Sequence, residues 1–236
     1  MSEVRRRLHE LSVRHGLSNH QGDQLAALLA ALSEDEQAPT SVREPERAVD
    51  VHLADSLVAL ELNVMSNASR LVDIGAGAGF PGLPLAIALP QADVTLVDSQ
   101  TRKCTFIERA CASARIENVQ VKCVRVEEWP EGIDAHDVAL ARAVAPQPVA
   151  LEYAAPLLRM GGCLVDWRGR RNRIEEDDSA HAAEQLGLEL TEIRRVEPFE
   201  GVRDHHLHVY LKVRETPARF PRRSGIARKK PLAGPS

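Results

Sequence analysis

Aromatic side chains are scarce in this chain: two Trp, two Tyr and four Phe make up only 3% of 236 residues. So few rings leave little material to line an extended apolar substrate pocket. Cysteine is scarce as well. The four thiols, Cys104, Cys111, Cys123 and Cys163, include no C-x-x-C pair, and the histidines are scattered without metal-ligand spacing around them. Neither a metal site nor a disulfide framework is expected, and Cys104 and Cys111, seven apart in a helical stretch, read as core-facing thiols in a reducing compartment. No run approaches the ~20 apolar residues of a membrane span. The opening MSEVRRRLHELSVRHG lacks the apolar stretch of a signal peptide. The expectation is a cytoplasmic protein without a membrane partner. No internal repeat or apolar heptad calls for obligate assembly, so a monomer is expected.

What is present is the composition of an ordinary globule, 44% hydrophobic and 27% charged, at a length suited to one doubly wound domain with a small appendage. Its most informative stretch is LVDIGAGAGFPG from Leu71 to Gly82, an apolar run that ends in an acid and four glycines. Gly75, Gly77 and Gly79 stand where a strand must turn sharply into a helix, a place for positive φ and close approach to a ligand. The next apolar run ends at Asp98, 19 positions beyond Gly79. An acid there can accept both ribose hydroxyls of an adenosine.

Two cofactor classes use this layout, and Gly77, Gly79 and Gly82 also satisfy the dinucleotide spacing G-x-G-x-x-G. Asp73 discriminates between them. A dinucleotide places its pyrophosphate at the helix N-terminus, where a carboxylate repels it. S-adenosylmethionine carries a sulfonium and an ammonium and no phosphate, so Asp73, with Phe80, Pro81 and Pro84 beyond the glycines, favours the methyl donor.

Alternation along the chain predicts the rest. Leu25, Leu28, Leu29 and Leu32 mark an amphipathic N-terminal helix, and a second helix is expected from about Glu46 to Leu62. Strands are expected at Leu71, at Val94–Asp98, in VQVKCVRV, in VALARAVA ending near Arg142, in CLVDW after a Gly161-Gly162 turn, and at 188–197 and 205–213. Helices at 84–89, 101–116 and 175–186 lie between them. The fold class is α/β: seven strands in a mostly parallel sheet with helices on both faces and an N-terminal helical extension. Boundaries are expected at 1–66 for the extension, 67–214 for the core and 215–236 for a basic, proline-containing tail. Asp73, Asp98, Val126 with Glu127, Arg142 and Arg168 all fall at carboxyl ends of strands, where ligands bind in such sheets.

The net charge of −4 conceals an uneven distribution. Residues 214–236 carry seven basic side chains and one acid, with four prolines that predict an extended rather than helical tail. A second basic cluster comprises Arg168, Arg170, Arg171 and Arg173. Beside a methyl-donor pocket these clusters point to phosphate binding. His52, Asp55 and Ser56 can share one helical surface, and on spacing alone they read as a surface polar cluster.

Five segments in order, HLADS (52–56), DIGAGAGFPGLPLAI (73–87), VDS with a following RK (97–103), RVEE (125–128) and ARAVA (141–145), resemble the bacterial 16S ribosomal RNA guanine-N7 methyltransferase family, also called glucose-inhibited division protein B. The tail segment RFPRRSG is similar to endings in that family. The resemblance implies a Rossmann-like class I methyltransferase that moves a methyl group from S-adenosylmethionine to N7 of a guanosine in 16S ribosomal RNA, acting on the small ribosomal subunit or an assembly intermediate. It implies that Gly75, Gly77, Gly79 and Phe80 pack on the methionine part of the donor, with Asp73 near its charged groups. Asp98 holds the ribose, and Val126 and Glu127 border the adenine. Arg142 lies at the donor pocket on the side facing the target, and His52, Asp55 and Ser56 flank the cavity. Arg168 stands where the family has a lysine, WRG in place of LKG, and is expected to hold the RNA backbone. APT replaces NLT before Ser41, and DHHL replaces ERHL near the last strand. A small-molecule methyltransferase, a non-catalytic RNA-binding protein of the ribosome and a dinucleotide oxidoreductase are the alternatives.

Overall fold

A computed structural model of the protein describes residues 2–233. Seven strands, β1 (Arg70–Ile74), β2 (Asp93–Asp98), β3 (Val119–Cys123), β4 (His136–Arg142), β5 (Leu158–Arg168), β6 (Leu188–Val196) and β7 (His205–Lys212), form one sheet in the order β3-β2-β1-β4-β5-β7-β6. The first five run parallel, and β7 is antiparallel to both β5 and β6. In central β1 Leu71 and Val72 are both buried but belong to cores on opposite faces, the period-two alternation of a covered parallel strand.

One core takes the N-terminal helices α1 (Glu3–Arg14) and α2 (Asn19–Glu34), the short helices α3 (Pro45–Ala48) and α4 (Asp55–Leu57), and the first two crossover helices, α5 (Gly82–Ala88) and α6 (Thr101–Ala114). The expected leucine stripe of α2 is fully inside it. Ser18 starts α2 with a reciprocal capping box to Gln21. Gln21 then donates to Ile87 O at 2.8 Å and Gln24 to Arg115 O at 2.8 Å, so α2 satisfies carbonyls left open at the ends of two neighbouring helices. The opposite core takes α7 (Gln147–Ala154), α8 (Arg173–Leu186) and α9 (Ile226–Lys229).

Four local differences from expectation have physical causes. The helix expected over 46–62 is broken into α3, a π-helical turn over Val49–Ala54, α4 and a 3₁₀ turn over Val58–Glu61. The carbonyl of Val51, in that π turn, accepts a hydrogen bond from Arg142 at 3.2 Å. Gly161 and Gly162 lie within β5 rather than in a turn before it: pairing with β4 jumps from Leu158 to Cys163, which absorbs them as a bulge. The third strand stops at Cys123, and Val126–Glu128 form a 3₁₀ turn. The tail was expected to be extended, yet Ile226–Lys229 close a helical turn beyond Gly225. Residues 234–236 of that tail lie outside the described residues. No helix of the described residues is long and apolar enough to cross a membrane.

Candidate active site

Strand order reverses beside β1, between its connections to β2 and to β4, and opens a crevice at the carboxyl edge of the sheet. The loop from β1 to α5 crosses this crevice with Gly75, Gly77 and Gly79 at φ of +66°, +60° and +88°. At Gly79 an added Cβ would also lie 2.4 Å from the Leu83 side chain, so both backbone and packing require glycine.

Two carboxylates fix the loop. Asp98, at the end of β2, accepts the Gly77 N–H at 3.1 Å, the Gln100 N–H at 3.0 Å and the Lys103 ammonium at 3.3 Å. One Asp98 oxygen carries a single described donor, which leaves capacity for a ligand hydroxyl. Asp73 is 1% exposed and accepts the Gly82 N–H at 2.8 Å, on the first turn of α5. Burial pushes its carboxyl up to about 7, against the pull of the Gly82 hydrogen bond and of Arg142. It therefore fills the helix N-terminus from inside and does not line the open cavity.

That cavity, of about 490 Å³, is lined by Gly75, Asp98, Val126 and Glu127 among the expected residues, a volume within the range of small-molecule sites. Gln100, Lys103, Val144, Tyr153 and Arg228 line it too. Lys103 is in the RK that follows VDS and Arg228 is in the basic tail read as phosphate-binding, whereas nothing in the local sequence singles out Tyr153. Ala143 and Val144 reach the wall because Ala143 takes φ of +54° directly after β4, a conformation seldom adopted by a residue with a Cβ.

Beside the cavity lies a second cluster. Phe80 stacks on the His52 ring at 4.6 Å and an interplanar angle of 14°, with the Arg142 guanidinium 6.0 Å from the Phe80 centroid. Arg142 donates to Asp55 at 2.8 Å, and the other Asp55 oxygen faces His205 at 3.2 Å. Trp167 donates to the Asp55 carbonyl at 2.8 Å, and Ser56 to the carbonyl of His52. His52, Asp55 and Ser56 are thus buried residues rather than a surface cluster. Burial, with repulsion from Arg142, lowers His52 to about 4 and keeps its ring neutral at pH 7.

Arg168 is placed elsewhere. Its guanidinium donates to buried Asp166 at 2.8 Å and to the carbonyl of Ala145 at 3.3 Å, which ties down the loop after β4. Arg170 and Arg171 are exposed, and they meet Asp204 and Glu176. Among the described residues no group of three or more His, Cys, Asp or Glu is disposed to hold a metal ion.

This architecture is that of a cofactor-binding doubly wound methyltransferase fold. It superposes on a SAM dependent methyltransferase from Aquifex aeolicus with a TM-score of 0.54 at 15% identity, covering 70% of this chain and 93% of that one. The chain belongs to the GidB family, rRNA small subunit methyltransferase G, whose profile matches residues 21–203. Ribosomal RNA small subunit methyltransferase G of Desulfitobacterium hafniense is 38% identical over 198 residues, 82% of this chain and 81% of the relative. The protein of that name from Alkaliphilus oremlandii is 34% identical over 197 residues, 82% of each.

Proposed function

We propose that this protein transfers a methyl group from S-adenosylmethionine to N7 of a guanosine in 16S ribosomal RNA. The observation that carries the donor assignment is Asp73 against the Gly82 N–H at 2.8 Å. A dinucleotide oxidoreductase uses that helix N-terminus for pyrophosphate. Here a buried acid already takes the Gly82 N–H, which leaves that donor unavailable to a pyrophosphate. Family membership selects ribosomal RNA over a small molecule as acceptor.

When bound, S-adenosylmethionine supplies an electrophilic methyl group on its sulfonium. The 75–79 loop and Phe80 hold the methionine end, Asp98 accepts from the ribose hydroxyls, and Val126 and Glu127 border the adenine. Arg142, anchored by Asp55 and the Val51 carbonyl, faces the acceptor side of Phe80 and positions the incoming base or its phosphate. Arg168 acts one step back, on the loop that carries Ala143 and Val144.

The side chains suit an acceptor that needs no base. Guanine N7 has an in-plane lone pair and no proton, so alignment of the reactants is the main demand on the site. Burial holds the Cys104 and Cys111 thiols up at about 12, which leaves no thiolate nucleophile there at neutral pH. Exposed Arg170, Arg173, Lys229 and Lys230 supply charge for RNA phosphates. A monomer working in the cytoplasm on the small subunit or its precursor completes the reading. Transfer of labelled methyl from the donor to 16S RNA by wild type, and its loss in Arg142→Ala with donor binding retained, is the test. Donor binding without any label in RNA would return the acceptor to a small molecule.

A further inference from the structure

The residues after β7 return along the core. Thr216 donates to the carbonyls of Ala155 and Leu186, each at 3.1 Å. Phe220 and Ala227 are buried in the core that includes Tyr153 and Leu157. Arg222 forks onto the buried carboxylate of Glu152, with its Nε 2.7 Å from one oxygen. The Gly225 N–H then donates to Glu127 at 3.0 Å, so a carboxylate on the cavity wall is engaged by the tail. Gly225, at φ of +78°, turns the chain into α9 and brings Arg228 to the same cavity.

We infer that Arg228 is a donor-binding residue: residues 216–230 form a strap across the adenosine end of the pocket, and its guanidinium contacts the adenosine of S-adenosylmethionine. This rests on the donor assignment above. Arg228 donates to the Val144 carbonyl at 2.9 Å and lines the cavity together with Tyr153. A guanidinium has five N–H donors, so that bond orients it and leaves others, together with its flat face, for a ligand. Adenine offers matching chemistry, ring-nitrogen acceptors and a π face.

A purely structural role explains Arg228 less well. Phe220, Ala227 and the Arg222–Glu152 pair already hold the strap by buried contacts, whereas Arg228 itself is exposed. Its backbone position is set by α9, and its side chain joins the strap to the wall between Val144 and Tyr153. Those two residues line the same cavity as Asp98, Val126 and Glu127, the residues assigned to the nucleoside.

The test is calorimetric titration of the full-length protein with two unreactive probes, S-adenosylhomocysteine and 5′-methylthioadenosine, the second lacking the amino-acid end. Arg228→Ala is expected to weaken both by about tenfold, the scale of one charge-assisted or cation–π contact. Arg228→Lys recovers only part of the loss, because an ammonium lacks the planar fork. Arg223→Ala, an exposed tail change away from the cavity wall, binds both probes as wild type does. If Arg228→Ala binds both probes within twofold of wild type, the inference is overturned. A loss seen with S-adenosylhomocysteine alone also overturns it, by placing the guanidinium on the amino-acid end. Wild type that binds neither probe would refute the donor assignment itself, and the strap's role with it.

Discussion

Asp98→Ala isolates the donor half of the site. Its carboxylate organises the loop through the Gly77 N–H at 3.1 Å, fixes the Gln100 N–H at 3.0 Å, faces Lys103 at 3.3 Å and borders the cavity. Removing it takes away a prospective charge-assisted bond to a ribose hydroxyl, with a net contribution of about 1.5–3 kcal/mol, and the support it gives the glycine loop. Part of that is offset by water entering the gap, so a loss of about 3 kcal/mol is expected, roughly a hundredfold in affinity. Asp98→Asn retains one acceptor oxygen but turns an amide toward existing donors, and should lose about tenfold. Arg142→Ala should leave affinity within about threefold, because Arg142 is held by Asp55 and Val51 outside the cavity wall. Titration with S-adenosylhomocysteine reads all three. Equal losses in Asp98→Ala and Arg142→Ala, or an Asp98→Ala protein that binds normally, would refute this division of roles.

Gly79→Ala should lower stability by about 2 kcal/mol or more, since its φ is +88° and the new methyl would lie 2.4 Å from Leu83 Cδ1. Urea unfolding reads it, and a wild-type midpoint would contradict the geometry. Asp73 has a folded pKa of about 7 against a reference of 3.8. The folded state therefore holds that proton longer, and the associated stability is present at low pH and lost as pH rises between those values. Asp73→Asn, which stays neutral, should be progressively more stable than wild type from pH 4 to pH 8 in urea midpoints; a pH-independent difference would refute the raised pKa. Replacing exposed Arg170, Arg173, Lys229 and Lys230 by Ala should weaken RNA binding most at low salt and flatten its salt dependence. An unchanged slope would exclude these segments from phosphate contact.

The sheet was legible because its strands are apolar runs punctuated by glycines and acids, and the order of those acids along the chain matched their positions at the sheet's carboxyl edge. The glycine loop was legible for the same reason: Gly75, Gly77 and Gly79 all take positive φ. What stayed hidden depends on contacts distant in sequence. Asp73 reads as an acid facing a ligand until its bond to Gly82 is seen. The bonds of the Arg168 guanidinium to Asp166 and to the Ala145 carbonyl were likewise out of reach of its local sequence. The tail read as an extended basic segment because charges and prolines dominate its composition, and nothing there announced that Phe220 and Ala227 bury themselves and Gly225 reaches Glu127. The π turn at Val49–Ala54 has no local signature, since the Val51 carbonyl is met by an arginine on a distant strand.

The most direct measurement is to incubate the purified protein with S-adenosylmethionine and small-subunit particles, or their naked 16S RNA, from cells lacking the modification, then digest the RNA and identify methylated nucleosides by mass spectrometry. The expected result is new 7-methylguanosine at a single site, absent with Asp98→Ala. Methylation at another atom or base, or none despite demonstrated donor binding, would contradict the proposed reaction.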